Sequence, residues 1–311
     1  MKICIIGPGI LPIPPSGWGA VEILIDDYRK NLEKLGHEVF IVNTTVRQHI
    51  IGLTNALSPD FVHIQYDDFV HIIPYIECKN VAITSHYGYI EQPDRWDSHY
   101  RKIFWDFVNS TAKLFCLSPG IAEVYRKANV PEDRLFVTPN GVRTDLFRFA
   151  DKPKHSNRSM YLAKIDYRKR QHIYQNIPDL YFAGGCHDDR FDKNNPRYLG
   201  HWSKEKLYNS LTEYANLVLL SDGEAHPLVC MEALAAGLGL VISECAAANL
   251  DLSLPFIDVI PDKRLDDTAY VEQIINSNKT TSISMRHDIR KYAETFSWET
   301  TVAGAYTSSI Q

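Results

Sequence analysis

No stretch of this 311-residue chain reaches the ~18 apolar residues that a membrane-spanning helix requires. The six cysteines, at positions 4, 78, 116, 186, 230 and 245, form no Cys-x-x-Cys pair and mostly lie in apolar runs, so they read as small hydrophobes in a reducing compartment. Asp-x-Asp occurs nowhere. The doublets Asp26-Asp27, Asp67-Asp68 and Asp188-Asp189 lack a supporting His or Glu ligand set, so no metal or other cofactor is expected. Gly-x-Gly-x-x-Gly is also missing, because Pro12 stands where the third glycine after Gly7 and Gly9 belongs, and this disfavours a nicotinamide-dependent dehydrogenase. Nor is there an extended basic face: 33 Lys/Arg against 38 Asp/Glu leave a net charge of -5, which argues against a nucleic-acid partner. Met1-Lys2 runs directly into Ile3-Cys-Ile-Ile6, leaving no room for a signal peptide, and a cytoplasmic location is expected.

What is present is alternation. Strand-like runs at Lys2-Ile6, His37-Val42, Asp60-Gln65, Asn80-Ser85, Ala112-Leu117 and Arg134-Thr138 are separated by helical stretches, which predicts the α/β class with parallel sheets. Helix Ala20-Leu35 carries a buried stripe of Val21, Leu24, Ile25, Tyr28, Leu32 and Leu35, with Gly36 as its cap. After Pro139-Asn140-Gly141 the pattern breaks, and the polar segment Ala150 to Ser159 reads as an interdomain linker. A second alternation follows, with strands near Met160-Ala163, Leu180-Ala183, Asn216-Leu220 and Leu240-Ser243. Two domains are expected, over 1–148 and 149–295, with a terminal helix over 296–311 returning to the first.

Ligands of parallel sheets bind beyond the carboxyl ends of strands, so the residues just after strands carry the functional reading. Gly7 to Gly19 follows the first strand, and its glycines bring bare amides within reach of a phosphate or sugar. Ser85-His86-Tyr87-Gly88 ends the fourth strand and places an imidazole at the sheet edge; taken alone such a histidine is more often structural. Leu162 to Gln171 follows the first strand of the second half, and Lys164 and Lys169 can converge on one phosphate. This run belongs to a basic band, residues 143 to 172, of charge +6 in an otherwise acidic chain, which suits a compact anion or, more plainly, a solvated surface. The most informative stretch is Ser221 to Gly237. There Glu224 lies in a strand-to-helix turn and Glu232 in the helix Leu228 to Ala236, ended by Gly237.

On Glu224-x7-Glu232 with its Glu-Ala-Leu-Ala-Ala-Gly continuation, on Thr138-Pro-Asn-Gly-Val-Arg-Thr-Asp-Leu-Phe147, on Leu199-Gly-His-Trp-Ser203, and on Lys164 with Lys169, the chain resembles the retaining GT-B glycosyltransferases of family 4. The resemblance implies two Rossmann-like, doubly wound domains facing a cleft, and transfer of a hexose-type sugar from a UDP- or GDP-linked donor to a glycan or lipid-linked acceptor. It implies that Lys164 and Lys169 neutralise the donor diphosphate, that Glu224 accepts hydroxyls of the donor sugar, and that Glu232 accepts those of the ribose. The backbone around His226, Pro227 and Leu228 would hold sugar and phosphate, Trp202 would wall the base, Gly17 and Gly19 would approach from the first domain, and His86 would lie by the reacting carbon. Three positions depart from the family pattern: Lys164 where arginine is usual, Pro227 where glycine is common, and Trp18 between the glycines.

Two carboxylates also occur in glycoside hydrolases, which hold them roughly 5 to 9.5 Å apart across one bond. A non-catalytic nucleotide-sugar-binding protein of the same fold is the alternative outside enzymology. Weak peripheral contact with the inner membrane face would rest on Trp105 beside Arg101 and Lys102, off the stripe of Trp96, Tyr100, Ile103 and Phe107 that reads as core.

Overall fold

A computed structural model of the chain describes residues 1–16 and 19–310. The chain divides into two compact units, Met1–Gly141 with Trp298–Gln311, and Val142–Ser297. The crossings fall there, against 148 and 295 expected from sequence. At the edge of the second unit its two ends are clipped together: Val142 N–H donates to Phe296 O at 2.8 Å and pairs with Ser297 in a parallel bridge.

In the first unit, β1 (Lys2–Gly7), α1 (Ala20–Lys34), β2 (Glu38–Asn43), α2 (Arg47–Leu57), β3 (Phe61–Ile64), β4 (Val81–Thr84), α3 (Ser98–Asn109), β5 (Lys113–Cys116), α4 (Pro119–Lys127) and β6 (Leu135–Val137) follow in order. The sheet is parallel, ordered β2-β1-β3-β4-β5-β6. Ile3, Cys4, Ile5 and Ile6 are wholly buried, as a central parallel strand covered on both faces requires. On α1 the expected stripe buries Leu24, Ile25, Tyr28 and Leu32, but Leu35 lies past the last turn and is exposed. Gly36 follows with φ 83°, a left-handed cap conformation. The returning C-terminal segment, which includes a short helix over 298–301, packs on α1: Tyr28 lies 4.7 Å from the Trp298 ring and 4.8 Å from Tyr306.

In the second unit β7 (His155–Leu162), α5 (Gln171–Tyr174), β8 (Leu180–Ala183), α6 (Lys204–Ser210), β9 (Tyr214–Leu219), α7 (Leu228–Ala235), β10 (Gly239–Ser243), β11 (Ile257–Ile260), α8 (Thr268–Ser284) and α9 (Arg286–Ala293) build a parallel sheet ordered β11-β10-β9-β7-β8. Strand order reverses between β7 and β9, and the crevice at such a reversal is where doubly wound sheets hold ligands. The polar stretch 150–159 is not a linker. Ala150 is tied to Thr212 and Arg286, and β7 already begins at His155, so the polar residues Ser156 and Asn157 are side chains on the exposed part of a strand.

Gly184 makes the β8 turn possible. Its φ is 147°, and a Cβ there would stand 1.9 Å from the Ala163 carbonyl oxygen. Gly184→Ala is expected to cost about 2–4 kcal/mol, read as a lowered urea midpoint with unchanged slope; an unaltered midpoint would refute the steric account.

Candidate functional site

The second unit brings two of its strand-end loops together. The loop after β7 carries Lys164 to Arg170, and the loop after β9 carries Ser221 to Pro227, on either side of the reversal. Tyr161 joins them from beneath. Its buried hydroxyl donates to Lys169 O at 2.5 Å and accepts from the Leu220 N–H at 2.9 Å. Arg168 adds a bond from Nη1 to Gly223 O at 2.8 Å and receives the Asp222 N–H on its own carbonyl at 2.9 Å. Arg170 pairs with Asp222 at 2.8 Å, and Asp166 caps the short turn by accepting the Lys169 N–H at 3.0 Å. Tyr161, Arg168 and Asp222 carry no local motif. Only the contact between segments more than fifty residues apart reveals them.

On this frame the Lys169 ammonium is ion-paired with Glu224 Oε1, both side chains nearly buried, and Arg168 lies 4.0 Å from the other carboxylate oxygen. Lys164 is exposed and makes no ion pair among the described residues. Elsewhere in the basic band Arg143 pairs with Asp145, Arg158 lies over the Tyr181 ring and Arg170 pairs with Asp222 and Asp266, whereas Arg148, Lys152 and Lys154 are exposed. Lys164, Arg168 and Lys169 are three cations on one loop, of which Lys169 is already paired with Glu224.

Pro227 is the residue just before α7, and Leu228 begins the helix, so the first-turn N–H groups that lack intrahelical acceptors start at Leu228. Pro227 itself contributes no N–H. His226 is buried, and burial pulls its imidazole down to about 4, so it is neutral at pH 7. Gly237 has φ 83° and ends the helix, as its place in the sequence predicts. Glu232, within α7, lies 3.3 Å from Lys204 Nζ, so the two glutamates engage different cations. Trp202 sits in the core of this unit, its ring 6.0 Å from Tyr214 at the start of β9 and 5.0 Å from Lys206 Nζ; its buried indole N–H has no hydrogen-bond partner among the described residues.

In the first unit, Gly17 and Trp18 lie outside the described residues. Gly19 immediately precedes α1 with φ 135°, and a Cβ there would come within 3.0 Å of both Glu22 and Leu11. Asn43, at the end of β2, pins the preceding loop by accepting the Gly9 N–H at 2.7 Å and donating to Leu11 O at 2.8 Å. His86 follows β4, half-buried, with Nε2 2.8 Å from Gln65 Oε1; burial pulls its ring down to about 4. Beside it, Asp67 accepts from Ser85 Oγ at 3.0 Å, and burial pushes the Asp67 carboxyl up to about 7. Among the described residues no group of three His, Cys, Asp or Glu side chains could hold a metal ion, and no helix is long and apolar enough to cross a membrane.

Two parallel-sheet units of this topology have solved counterparts. The chain superposes on Anabaena HepE in complex with UDP and glucose with a TM-score of 0.73 over 99% of this chain and 100% of that one, at 14% identity. Sucrose-phosphate synthase from Thermosynechococcus elongatus gives 0.76 over 99% and 98%, at 15% identity. The fold is GT-B. Residues 45–146 also match the Glycosyltransferase Family 4 model, and the lipopolysaccharide outer core galactosyltransferase WaaB superposes with a TM-score of 0.67 over 99% of both chains, at 16% identity. By sequence, no curated protein matches the chain. In GT-B terms the first unit is the N-terminal domain, closed by the returning C-terminal segment, and the second unit carries Glu224 and Glu232.

Proposed function

We propose that the chain is a retaining, metal-independent glycosyltransferase that moves a hexose-type sugar from a UDP- or GDP-linked donor to a hydroxyl of a glycan or lipid-linked acceptor. The observation that carries this reading is the Lys169–Glu224 pair at the strand-order reversal, beside the first turn of α7. An ammonium next to a carboxylate suits a ligand that is anionic at one end and rich in hydroxyls at the other, and a nucleotide diphosphate sugar is such a ligand. HepE, of the same fold, is solved with UDP and glucose.

In this reading Lys164, Lys169 and Arg168 face the diphosphate, Glu224 the sugar hydroxyls, Glu232 the ribose, and the amides from Leu228 onward the phosphate. The bond between the anomeric carbon and the phosphate oxygen breaks, the acceptor oxygen bonds to that carbon from the same face, and the acceptor proton passes to the departing phosphate. No protein nucleophile is required. His86, neutral at pH 7, hydrogen-bonds the reacting sugar through its remaining nitrogen. Six cysteines without a disulfide suit a cytoplasmic location, and exposed Trp105 beside Arg101 and Lys102 suits weak contact with the inner membrane face.

The test is incubation of the protein with radiolabelled UDP- and GDP-sugars and a panel of hydroxyl acceptors, with and without EDTA. A glycoside product of retained configuration, formed equally in chelator, is expected. Loss of turnover in EDTA, restored by Mg²⁺ or Mn²⁺, would overturn metal independence. Donor binding with neither transfer nor hydrolysis would leave a nucleotide-sugar-binding protein instead.

A further inference from the structure

A buried chain of hydrogen bonds runs through the first unit to His86. Tyr306 Oη lies 2.9 Å from His63 Nδ1, and Gln65 Nε2 lies 3.2 Å from the same nitrogen. On the opposite edge of the ring, His63 Nε2 is 2.7 Å from Thr84 Oγ1, and Gln65 Oε1 meets His86 Nε2 at 2.8 Å. His63, Gln65, Thr84 and Tyr306 are all buried, and neither hydroxyl has another partner among the described residues. Burial pulls His63 to about 3 and His86 to about 4, so at pH 7 each ring is neutral and carries one proton.

One proton per ring and one carbonyl per amide make these bonds interdependent. In the first arrangement His63 donates from Nε2 to Thr84. Its Nδ1 then accepts from Tyr306 and from the Gln65 amide, so Gln65 Oε1 faces His86, and His86 must carry its proton on Nε2. In the second arrangement Thr84 donates to His63 Nε2, and His63 Nδ1–H donates to Tyr306 and to a turned-over Gln65 carbonyl. The Gln65 NH₂ then faces His86 Nε2, and the His86 proton must sit on Nδ1. The first arrangement leaves the Thr84 hydrogen without an acceptor, and the second leaves the Tyr306 hydrogen without one.

We propose that Gln65 locks the proton position of His86 to that of His63, so that Thr84 and Tyr306, which reach only His63, decide whether His86 offers its substrate a lone pair or a proton on Nδ1. This makes Gln65, His63, Thr84 and Tyr306 positioning residues, and it rests on the reading of His86 as the imidazole beside the reacting sugar. The two hydroxyls pull in opposite directions. Tyr306→Phe removes the group left unsatisfied in the second arrangement and favours that arrangement. Thr84→Val strands the His63 Nε2–H in the first arrangement but strands both the Nε2 lone pair and the Tyr306 hydrogen in the second, and so favours the first.

Long-range ¹H–¹⁵N correlation spectra of the full chain labelled in histidine, assigned with His63→Gln and His86→Gln, report the proton position in each ring directly. In the wild type the two rings should carry their protons on the same-named nitrogen. Relative to wild type, the His86 ratio should move by about tenfold or more toward Nδ1–H in Tyr306→Phe and toward Nε2–H in Thr84→Val. Gln65→Met should leave His86 indifferent to both. In transfer assays kcat should fall in only one of the two hydroxyl variants, with the donor KM unchanged. Protons on unlike nitrogens in the wild type, a measurement that needs no variant to fold, would overturn the coupling, as would an identical His86 ratio in Tyr306→Phe and Thr84→Val. Coupled tautomers in a protein that transfers no sugar would defeat the functional reading and leave the coupling intact.

Discussion

Glu224→Ala should lower kcat roughly ten- to hundredfold while nucleotide diphosphate binds as tightly as before or more tightly. The carboxylate is the partner of Lys169, so removing it deprives the donor sugar of a charge-assisted acceptor and at the same time frees an ammonium for the diphosphate. Contacts that orient the sugar as charge builds at the anomeric carbon act on kcat, whereas contacts made equally in ground and transition states act on affinity. Glu232→Ala should behave in the opposite way. It removes the carboxylate held near Lys204 and should weaken nucleotide diphosphate and nucleotide sugar alike by about 1.5–3 kcal/mol. Calorimetric titration with the free diphosphate separates the two variants, and equal losses of affinity in both would refute this division of roles.

Arg286→Ala should destabilise the second unit by at least about 4 kcal/mol. This side chain is almost wholly buried, and it donates to Ala150 O at 2.8 Å, Tyr214 O at 3.2 Å, Thr212 O at 2.8 Å, Thr212 Oγ1 at 2.7 Å and Ala236 O at 3.2 Å. It thereby ties the entry of the unit, the start of β9 and the end of α7 to α9. Burial lowers its pKa to about 10, which still leaves the guanidinium charged at pH 7. Truncation strands several buried carbonyls together, and each unsatisfied one costs more than its bond contributed. Urea unfolding followed through Trp202, the one tryptophan between 142 and 297, should show a lowered midpoint with an unchanged slope. A midpoint within error of wild type would rule out Arg286 as the clamp.

Much of this architecture is legible in residue order. The continuous apolar runs at Ile3 to Ile6 and Leu217 to Leu220 mark strands buried on both faces, and Gly36 and Gly237 mark helix ends whose positive φ the structure confirms. The reading weakens where local pattern and burial part company. Helix α8 buries Asn278 and Ser282 because Asn278 bonds Leu240 O, Phe256 O and Asp258, and Ser282 bonds Ala215 O; no apolar stripe announces it. Strand β11 is four residues long with an aspartate inside it, too short for alternation to stand out.

By itself the sequence determined the two alternations of strand and helix, the turn that carries Glu224 and the helix that carries Glu232, because hydrophobic period and capping residues act over a few neighbours. Only the tertiary structure decided which charges are spent. It sets Lys169 on Glu224 and Arg170 on Asp222, leaves Lys164 exposed, and places Tyr161 between two loops and Gln65 between two histidines. Those partners are separated by tens of residues or joined through a third side chain. Their pairing depends on strand order and register, which bring distant segments to one sheet edge and leave no periodic trace in the chain.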